Sequence, residues 1–307
     1  MNRTVHCKFC QAELSRVLYH LRCAKVYCCK TCDLHFTDYI DETNDSTSEE
    51  TESLPNEQEK SYLRNQLQYN QERFTQQVTC ASSLIKHYDH PKILDVGMGG
   101  GLFLSMVSAK VKNLSTFGTD TNLKRIAFAK KEYGLNNLFS YPLEHEYWAQ
   151  HHISSFHLIS FWDVVEHVNQ PLDLFNAAHN LLVDDGMIII DTPCRDSFFY
   201  KFGQWSYWLT RGLFPTFLNI MYSNKPFGHK QIFSIENIKT LCQHSGFEIK
   251  SIDSFHEMSF PIHFYLTKWI QNKGMLKLLT PMANKVLNTF PIKNKMMIIA
   301  SRIPKTR

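Results

Sequence analysis

The 307-residue chain has no run of about 18 uncharged apolar residues, so no membrane-spanning helix is expected. Its opening residues, Met1-Asn2-Arg3-Thr4-Val5-His6-Cys7, lack an apolar signal core. Nine cysteines are an odd number in a long chain, which argues against a secreted disulfide scaffold and makes a reducing, cytoplasmic setting the expectation. Charge of one sign is missing in two places: residues 38–59 hold nine acids and no Lys or Arg, and residues 258–307 hold nine Lys or Arg and no acid. The stretch 60–257 holds 18 of each, so the formal net charge of +4 hides a sorting. An acidic block, a neutral middle and a basic tail imply separate physical jobs. With 43% hydrophobic and 13% aromatic residues, a disordered or collagen-like chain is excluded.

Six of the nine cysteines fall within residues 1–32. Residues 1–37 read as a cysteine module and 38–60 as an acidic, solvated linker that cannot bury a core. A helical pattern starts near 61 (Tyr62, Leu63, Leu67, then Phe74, Val78, Leu84, Ile85). Short apolar runs at 92–96, 115–119, 156–162, 186–191, 248–253 and 296–301 then alternate with helical segments at 101–110, 122–133, 171–182 and 234–245. Such alternation predicts βαβ units and a parallel sheet, an α/β fold over 61–307. Pro171 suits a first helical turn, Ser234 an N-cap and Gly246 a left-handed helix end. Asp184-Asp185-Gly186 predicts a turn.

The sharpest signal is Ile93-Leu94-Asp95-Val96-Gly97-Met98-Gly99-Gly100-Gly101, a buried strand running into four glycines before a helix. Glycines permit positive φ and let a ligand touch bare backbone over a helix N-terminus. The next strand ends at Asp120, placed to accept hydrogen bonds from both hydroxyls of a ribose. The acid leading the turn, Asp95, would repel a pyrophosphate but can orient the glycine loop or bind an ammonium indirectly. This favours S-adenosylmethionine over a nicotinamide dinucleotide.

Residues 92–254 resemble a class I S-adenosylmethionine-dependent methyltransferase of the methyltransferase-23 type, similar to ubiquinone-biosynthesis O-methyltransferases. The landmarks are the glycine turn, Gly118-Thr119-Asp120, the run from Phe156 through Asp163 to His167-Val168, the run Leu181 to Pro193, and His229 through Gly246-Phe247. The resemblance implies a Rossmann-like seven-stranded sheet with helices on both faces, its last strand near 296–301 inserted antiparallel beside 248–253. It also implies that Gly97, Gly99 and Gly101 line the cofactor, that Asp120 meets its ribose, and that Asp163 stands near the methyl. The family often carries an Asp after the third strand; here the region reads Leu138 to Glu144 and leaves the adenine contact unassigned.

Asp163, Glu166 and His167 fall on one side of a first helical turn. Three readings stand: a divalent cation such as magnesium on the two acids and the imidazole, His167 as a general base, or a structural turn. His229 comes from a loop expected to face the substrate. Cys7-x-x-Cys10 and Cys29-x-x-Cys32, 18 residues apart, fit a tetrahedral structural zinc in a small ribbon, with Cys23 or Cys28 as an alternative to Cys29 in another register. Residues 198–222 carry ten aromatics inside an expected lid insertion at 198–228; an apolar acceptor pocket, a membrane-facing patch and simple packing are the alternatives. The segment 255–290 is expected as a helical insertion, with Lys residues interleaved among apolar ones over 262–290, for a membrane surface or for water. The expected acceptor is a small molecule, quinone-like or sugar-like. An RNA methyltransferase reading through the ribbon is disfavoured by the neutral middle, and a non-catalytic scaffold is the remaining rival. Oligomeric state is not written in the sequence.

Overall fold

The computed structural model describes residues 5–13, 15–41, 74–224, 228–257, 262–267, 270–289 and 293–304. Most of the expected acidic linker, and Tyr62, Leu63 and Leu67, lie outside them. A helix over 74–85 (α1) leads into β4 (Lys92–Val96), α2 (Leu102–Lys110), β5 (Ser115–Thr119), α3 (Leu123–Tyr133), β6 (Leu138–Phe139), α4 (Glu146–His151), β7 (Phe156–Trp162), α5 (Pro171–Leu181) and β8 (Leu182–Pro193). Strands β10 (Phe247–Phe255) and β11 (Lys295–Arg302) complete a seven-stranded sheet in the order β10-β11-β8-β7-β4-β5-β6. Strands β4 to β8 pair in parallel, while β11 runs antiparallel to both neighbours, Ile298 opposite Ile190 and Ile252. A sheet covered by helices on both faces buries its strands entirely, which is why they read as continuous Ile/Leu/Val runs rather than alternating ones.

Helix ends follow their local chemistry. Asn122 caps α3 by accepting from the N–H groups of Lys124 and Arg125, and Pro171 opens α5. Ser234 caps α8 (Ile235–His244) in a reciprocal box with Asn237, and Gly246, at φ +76°, follows the helix end. The turn expected at Asp184-Asp185-Gly186 lies instead inside β8: Leu182 pairs with Phe156 and Met187 with Leu158, so the extra residues are taken up as an irregularity within the strand.

A second sheet has the order β1 (Ser15–His20), β2 (Lys25–Cys29), β3 (His35–Thr37) and β9 (Gln231–Ile232). Its last strand comes from the far side of the sequence, so the cysteine module shares a sheet with the rest of the chain. It shares a core too: Cys7, Phe9, Cys29, Leu34 and Phe36 cluster with Phe233, Ile238 and Leu241. The two parts are apart along the chain but share one sheet and one core.

The aromatic insertion forms α6 (Phe198–Leu209) and α7 (Thr216–Met221). One face of it packs on the module, not on the central sheet: Tyr200, Tyr207, Leu218 and Tyr222 bury against Tyr19, Ala24 and Val26. Full burial of such an aromatic contributes about 1.5–3 kcal/mol. The other face exposes Phe198, Trp205, Leu209, Leu213 and Phe214. Between β10 and β11 lie α9 (Ile262–Leu266) and α10 (Lys273–Thr289). No helix among the described residues is long and apolar enough to cross a membrane.

Candidate active site

The glycine turn leaves the carboxyl end of β4 with Gly97, Gly99 and Gly101 all at positive φ (+68°, +55° and +77°). Gly97 and Gly101 are held to glycine by their neighbours; Gly99 is not. A Cβ on Gly97 would lie 2.7 Å from Val164 Cγ2, and one on Gly101 2.8 Å from Ala129 Cβ. A Cβ on Gly99 would meet nothing within 4 Å, so there the bare backbone borders open space rather than protein. The N–H of Gly99 donates to Asp120 Oδ2 at 2.8 Å, and that of Asn122 to Oδ1 at 2.8 Å. The Arg125 guanidinium lies 3.8 Å away. Burial pushes the Asp120 carboxyl above its ordinary value, against the pull of Arg125 and the two N–H groups. An acid tied to the turn, beside an open glycine and a helix N-terminus, fits a ribose-bearing cofactor. Asp95 is directed elsewhere: it is buried and accepts from Ser160 Oγ at 2.7 Å, and burial raises it to about 8.

At the carboxyl edge of β7, Asp163 sits in the left-handed region at φ +54°, which Asp tolerates better than most non-glycine residues. Its N–H donates to Asp191 Oδ1 at 2.8 Å. Its carboxylate meets Lys295 Nζ at 2.6 Å, and the same ammonium lies 3.3 Å from Asp191 and 2.7 Å from Glu257. Gln77 Nε2 donates to the other Glu257 oxygen at 3.0 Å. Lys295 is 4% exposed, so three carboxylates surround one buried ammonium. Sequence reasoning passed over Lys295, Asp191 and Glu257. The first two had a signal, since each is a charge at the end of an apolar strand run; Glu257, in a loop, had none.

The Asp163–Lys295 contact corrects the expected cation site. Asp163 does not join Glu166 and His167; His229 does, and the ligand atoms of Glu166, His167 and His229 lie within 4.8 Å of one another. Burial, with the charge of Asp163, drives the Glu166 carboxyl well above its usual range, and its Oε2 accepts from Thr192 Oγ1 at 3.0 Å. Burial, then His229, presses His167 down to about 3, and burial also lowers His229. One carboxyl and two imidazoles are a nitrogen-rich donor set, a poor match for magnesium, which prefers oxygen ligands. The rings of His167 and His229 stand 4.7 Å apart. His229 Nδ1 lies 3.1 Å from the Met221 carbonyl; a carbonyl only accepts, so Nδ1 carries the proton and Nε2 keeps its lone pair.

The Sγ atoms of Cys7, Cys10, Cys29 and Cys32 also lie within 4.8 Å of one another. The two knuckles are copies. Cys7 and Cys29 each accept an N–H from two residues on (Phe9 and Thr31, both 3.4 Å). Gln11 and Asp33, four residues after each, are both left-handed and donate to the carbonyls of Cys7 and Cys29. Cys28 faces away, its thiol donating to Asp33 Oδ1 at 3.3 Å. Four converging cysteine sulfurs have the donor set of a tetrahedral zinc site.

A methyltransferase-domain family profile matches residues 56–252. The ubiquinone biosynthesis O-methyltransferase of Glaesserella parasuis is 25% identical over 183 residues, 58% of this chain and 73% of that protein. That of Psychrobacter cryohalolentis is 26% identical over 113 residues, covering 36% of this chain and only 44% of the relative's length. Among solved structures, the plantazolicin methyltransferase BamL with a triazolic desmethylPZN analog and SAH aligns at TM-score 0.50 and 14% identity, over 80% of this chain and 91% of that one. A chain from the complex of the Haloferax volcanii Trm112 methyltransferase activator with a methyltransferase aligns at TM-score 0.52 and 10% identity, over 81% and 99%. With the glycine turn, the seven-stranded order and the antiparallel β11 in place, the chain belongs to the class I S-adenosylmethionine-dependent methyltransferases.

Proposed function

We propose that the protein methylates a hydroxyl oxygen of a small, quinone-like acceptor, with His229 as the general base. The observation that carries this reading is the neutral His229 imidazole at the carboxyl edge, with Nδ1 committed to Met221 and Nε2 open to accept a proton. S-Adenosylmethionine supplies an electrophilic methyl on a sulfonium. The chain's residues hold the acceptor oxygen in line with that carbon and remove the hydroxyl proton to His229 as the O–CH3 bond forms and the S–CH3 bond breaks. Gly97, Gly99, Gly101 and Asp120 would hold the cofactor. The carboxylates around Lys295 outnumber its charge and favour a sulfonium beside Asp163. Burial lowers His229 and favours its uncharged ring. The quinone-like acceptor draws on the names of the relatives, and zinc on the four cysteines is proposed as structural.

Isothermal titration with S-adenosylmethionine, followed by methyl transfer to a panel of catechols and sugars, tests the reading. Binding lost in Asp120→Ala and turnover lost in His229→Gln with binding retained are expected. Absence of binding by the intact protein would sink it.

A specific observation favours a second role, contact with an anionic membrane surface. The outer face of α6 and the following loop exposes Phe198, Trp205, Leu209, Leu213 and Phe214, and no acid occurs between Ser197 and Ile235. Aromatic and basic residues without acids suit the headgroup boundary of a bilayer. Co-sedimentation with phosphatidylglycerol vesicles, reduced by the Trp205→Ser and Leu213→Ser pair, is the expected result. A pair that sediments like the unaltered protein removes the idea. The basic helix α10, with Met275, Leu278 and Met282 exposed, is the control surface. A cytoplasmic setting accompanies this proposal.

A further inference from the structure

The loop 164–169 carries Glu166 and His167 yet belongs to no helix or strand. A loop that positions a catalytic group needs its backbone held by other parts of the molecule. Here two residues take its carbonyls in turn. Gln231 Nε2 donates to Val165 O at 2.8 Å and Val168 O at 2.9 Å. The N–H groups of Lys230 and Gln231 donate to Glu166 O at 2.8 and 3.3 Å. Lys230 Nζ donates to the His167 carbonyl.

Those two residues are held by the cysteine module. Gln231 pairs with Phe36 across β3 and β9, and Thr37 N–H donates to Lys230 O at 2.7 Å. The Lys230 ammonium has no side-chain exposure and pairs with Asp41 Oδ2 at 2.6 Å. The main chain of Asp41 exchanges two hydrogen bonds with the Asn169 side chain, at 3.0 and 2.9 Å. Lys8, inside the first knuckle, donates from Nζ to Tyr39 O at 2.6 Å and ties this segment back to Cys7 and Cys10. A buried ammonium is costly unless its counter-charge is fixed, so apolar packing alone would not call for this pair.

We propose that Lys230 and Asp41 are positioning residues, a clamp through which the cysteine module fixes the backbone of 164–169 and hence the place of His167 beside His229. The proposal rests on the reading of that site given above. It assigns the module a role within its own chain, as part of the active-site wall rather than as a reader of nucleic acid.

The test uses the full chain and no acceptor. In Asp41→Asn the ammonium loses its anion while the side-chain shape is kept. Amide hydrogen exchange across 164–169 is expected to quicken by roughly tenfold or more, as a local opening would produce. Exchange across 115–126, around Asp120, and affinity for S-adenosylhomocysteine are expected to change by less than about twofold, because those groups share no partner with the clamp. The His167 ring resonances in 15N-histidine-labelled protein are expected to move, which a purely structural role would not require. Asn169→Ala, which removes only the two main-chain bonds of Asp41, provides a milder variant should Asp41→Asn fail to fold; faster exchange confined to the same loop is expected. Unchanged exchange at 164–169 in a folded variant, or acceleration spread evenly over both segments, overturns the clamp. Failure of the unaltered protein to bind cofactor would overturn the methylation reading and leave these exchange rates to judge the clamp separately.

Discussion

Alanine at Gly99 and at Gly101 separates a ligand cradle from a packing constraint within one turn. Both glycines are left-handed, so each alanine carries a backbone cost of about 1–2 kcal/mol. At Gly101 the new methyl would also lie 2.8 Å from Ala129 Cβ and 2.9 Å from Leu135 Cδ1; Ala129 has no rotamer with which to yield, and overpacking of this kind adds about 1–3 kcal/mol. At Gly99 nothing lies within 4 Å, so the backbone cost stands alone. Gly101→Ala is therefore expected to lose about 2–5 kcal/mol, and Gly99→Ala about 1–2. For a domain of this size each kcal/mol lowers the melting temperature by roughly 2–4 °C. Cofactor affinity should run the other way. The methyl on Gly99 occupies the open side of the turn, where a ligand would touch backbone, and tenfold or greater weakening corresponds to about 1.4 kcal/mol. Thermal melting of both variants, with calorimetric titration of S-adenosylmethionine, provides the assay. Gly99→Ala binding with unaltered affinity, or melting as low as Gly101→Ala, would refute the assignment of the open space to the cofactor.

Cobalt(II) offered to the metal-stripped protein should give intense thiolate-to-cobalt absorption that survives Cys28→Ser and is lost in Cys29→Ser; the reverse outcome would move the metal to the other register. Lys295→Met leaves Asp163, Asp191 and Glu257 facing one another, and loss of one partner of a buried ion pair costs about 3–5 kcal/mol; a denaturant midpoint close to that of the unaltered chain would contradict the network. Acid should destabilise the fold through His35 and His167, both lowered to about 3 chiefly by burial. The unfolded chain takes up these protons near pH 6.5, so this stability is present above that pH and is lost as pH falls toward 3, by about 2 kcal/mol per histidine at pH 5. Asp95 and Glu166, raised in the fold, act in the opposite direction, losing stability as pH rises. The comparison is therefore with His167→Gln, whose stability should fall less steeply between pH 6.5 and 5; parallel curves would show that His167 is not held neutral.

The regular elements of the central sheet were legible because each is specified locally. Apolar runs with the period of a buried strand, Pro171, Ser234 and Gly246 carry their conformational instructions within a few residues. The 156–162 strand and the antiparallel place of 296–301 follow from that pattern and from the family resemblance. The turn at Asp184-Asp185-Gly186 misled, since its sequence suits both a turn and a strand irregularity and pairing with β7 decides between them. The acidic 38–60 segment led to the expectation of a solvated linker; that the module before it packs on the rest of the chain was not legible, because composition reports solvation and not docking.

The α/β order, the glycine turn with its acid, and the two cysteine knuckles were all written in the linear chain. These depend on neighbours along the chain and on backbone freedom at single residues. Only the tertiary structure decided what those pieces meet. It gave Asp163 to Lys295, brought His229 to Glu166 and His167, and laid the cysteine module against the loop that carries them. Each of these contacts joins residues dozens to nearly two hundred positions apart, and buried charges choose their partners by distance and desolvation, to which a linear order of residues is blind.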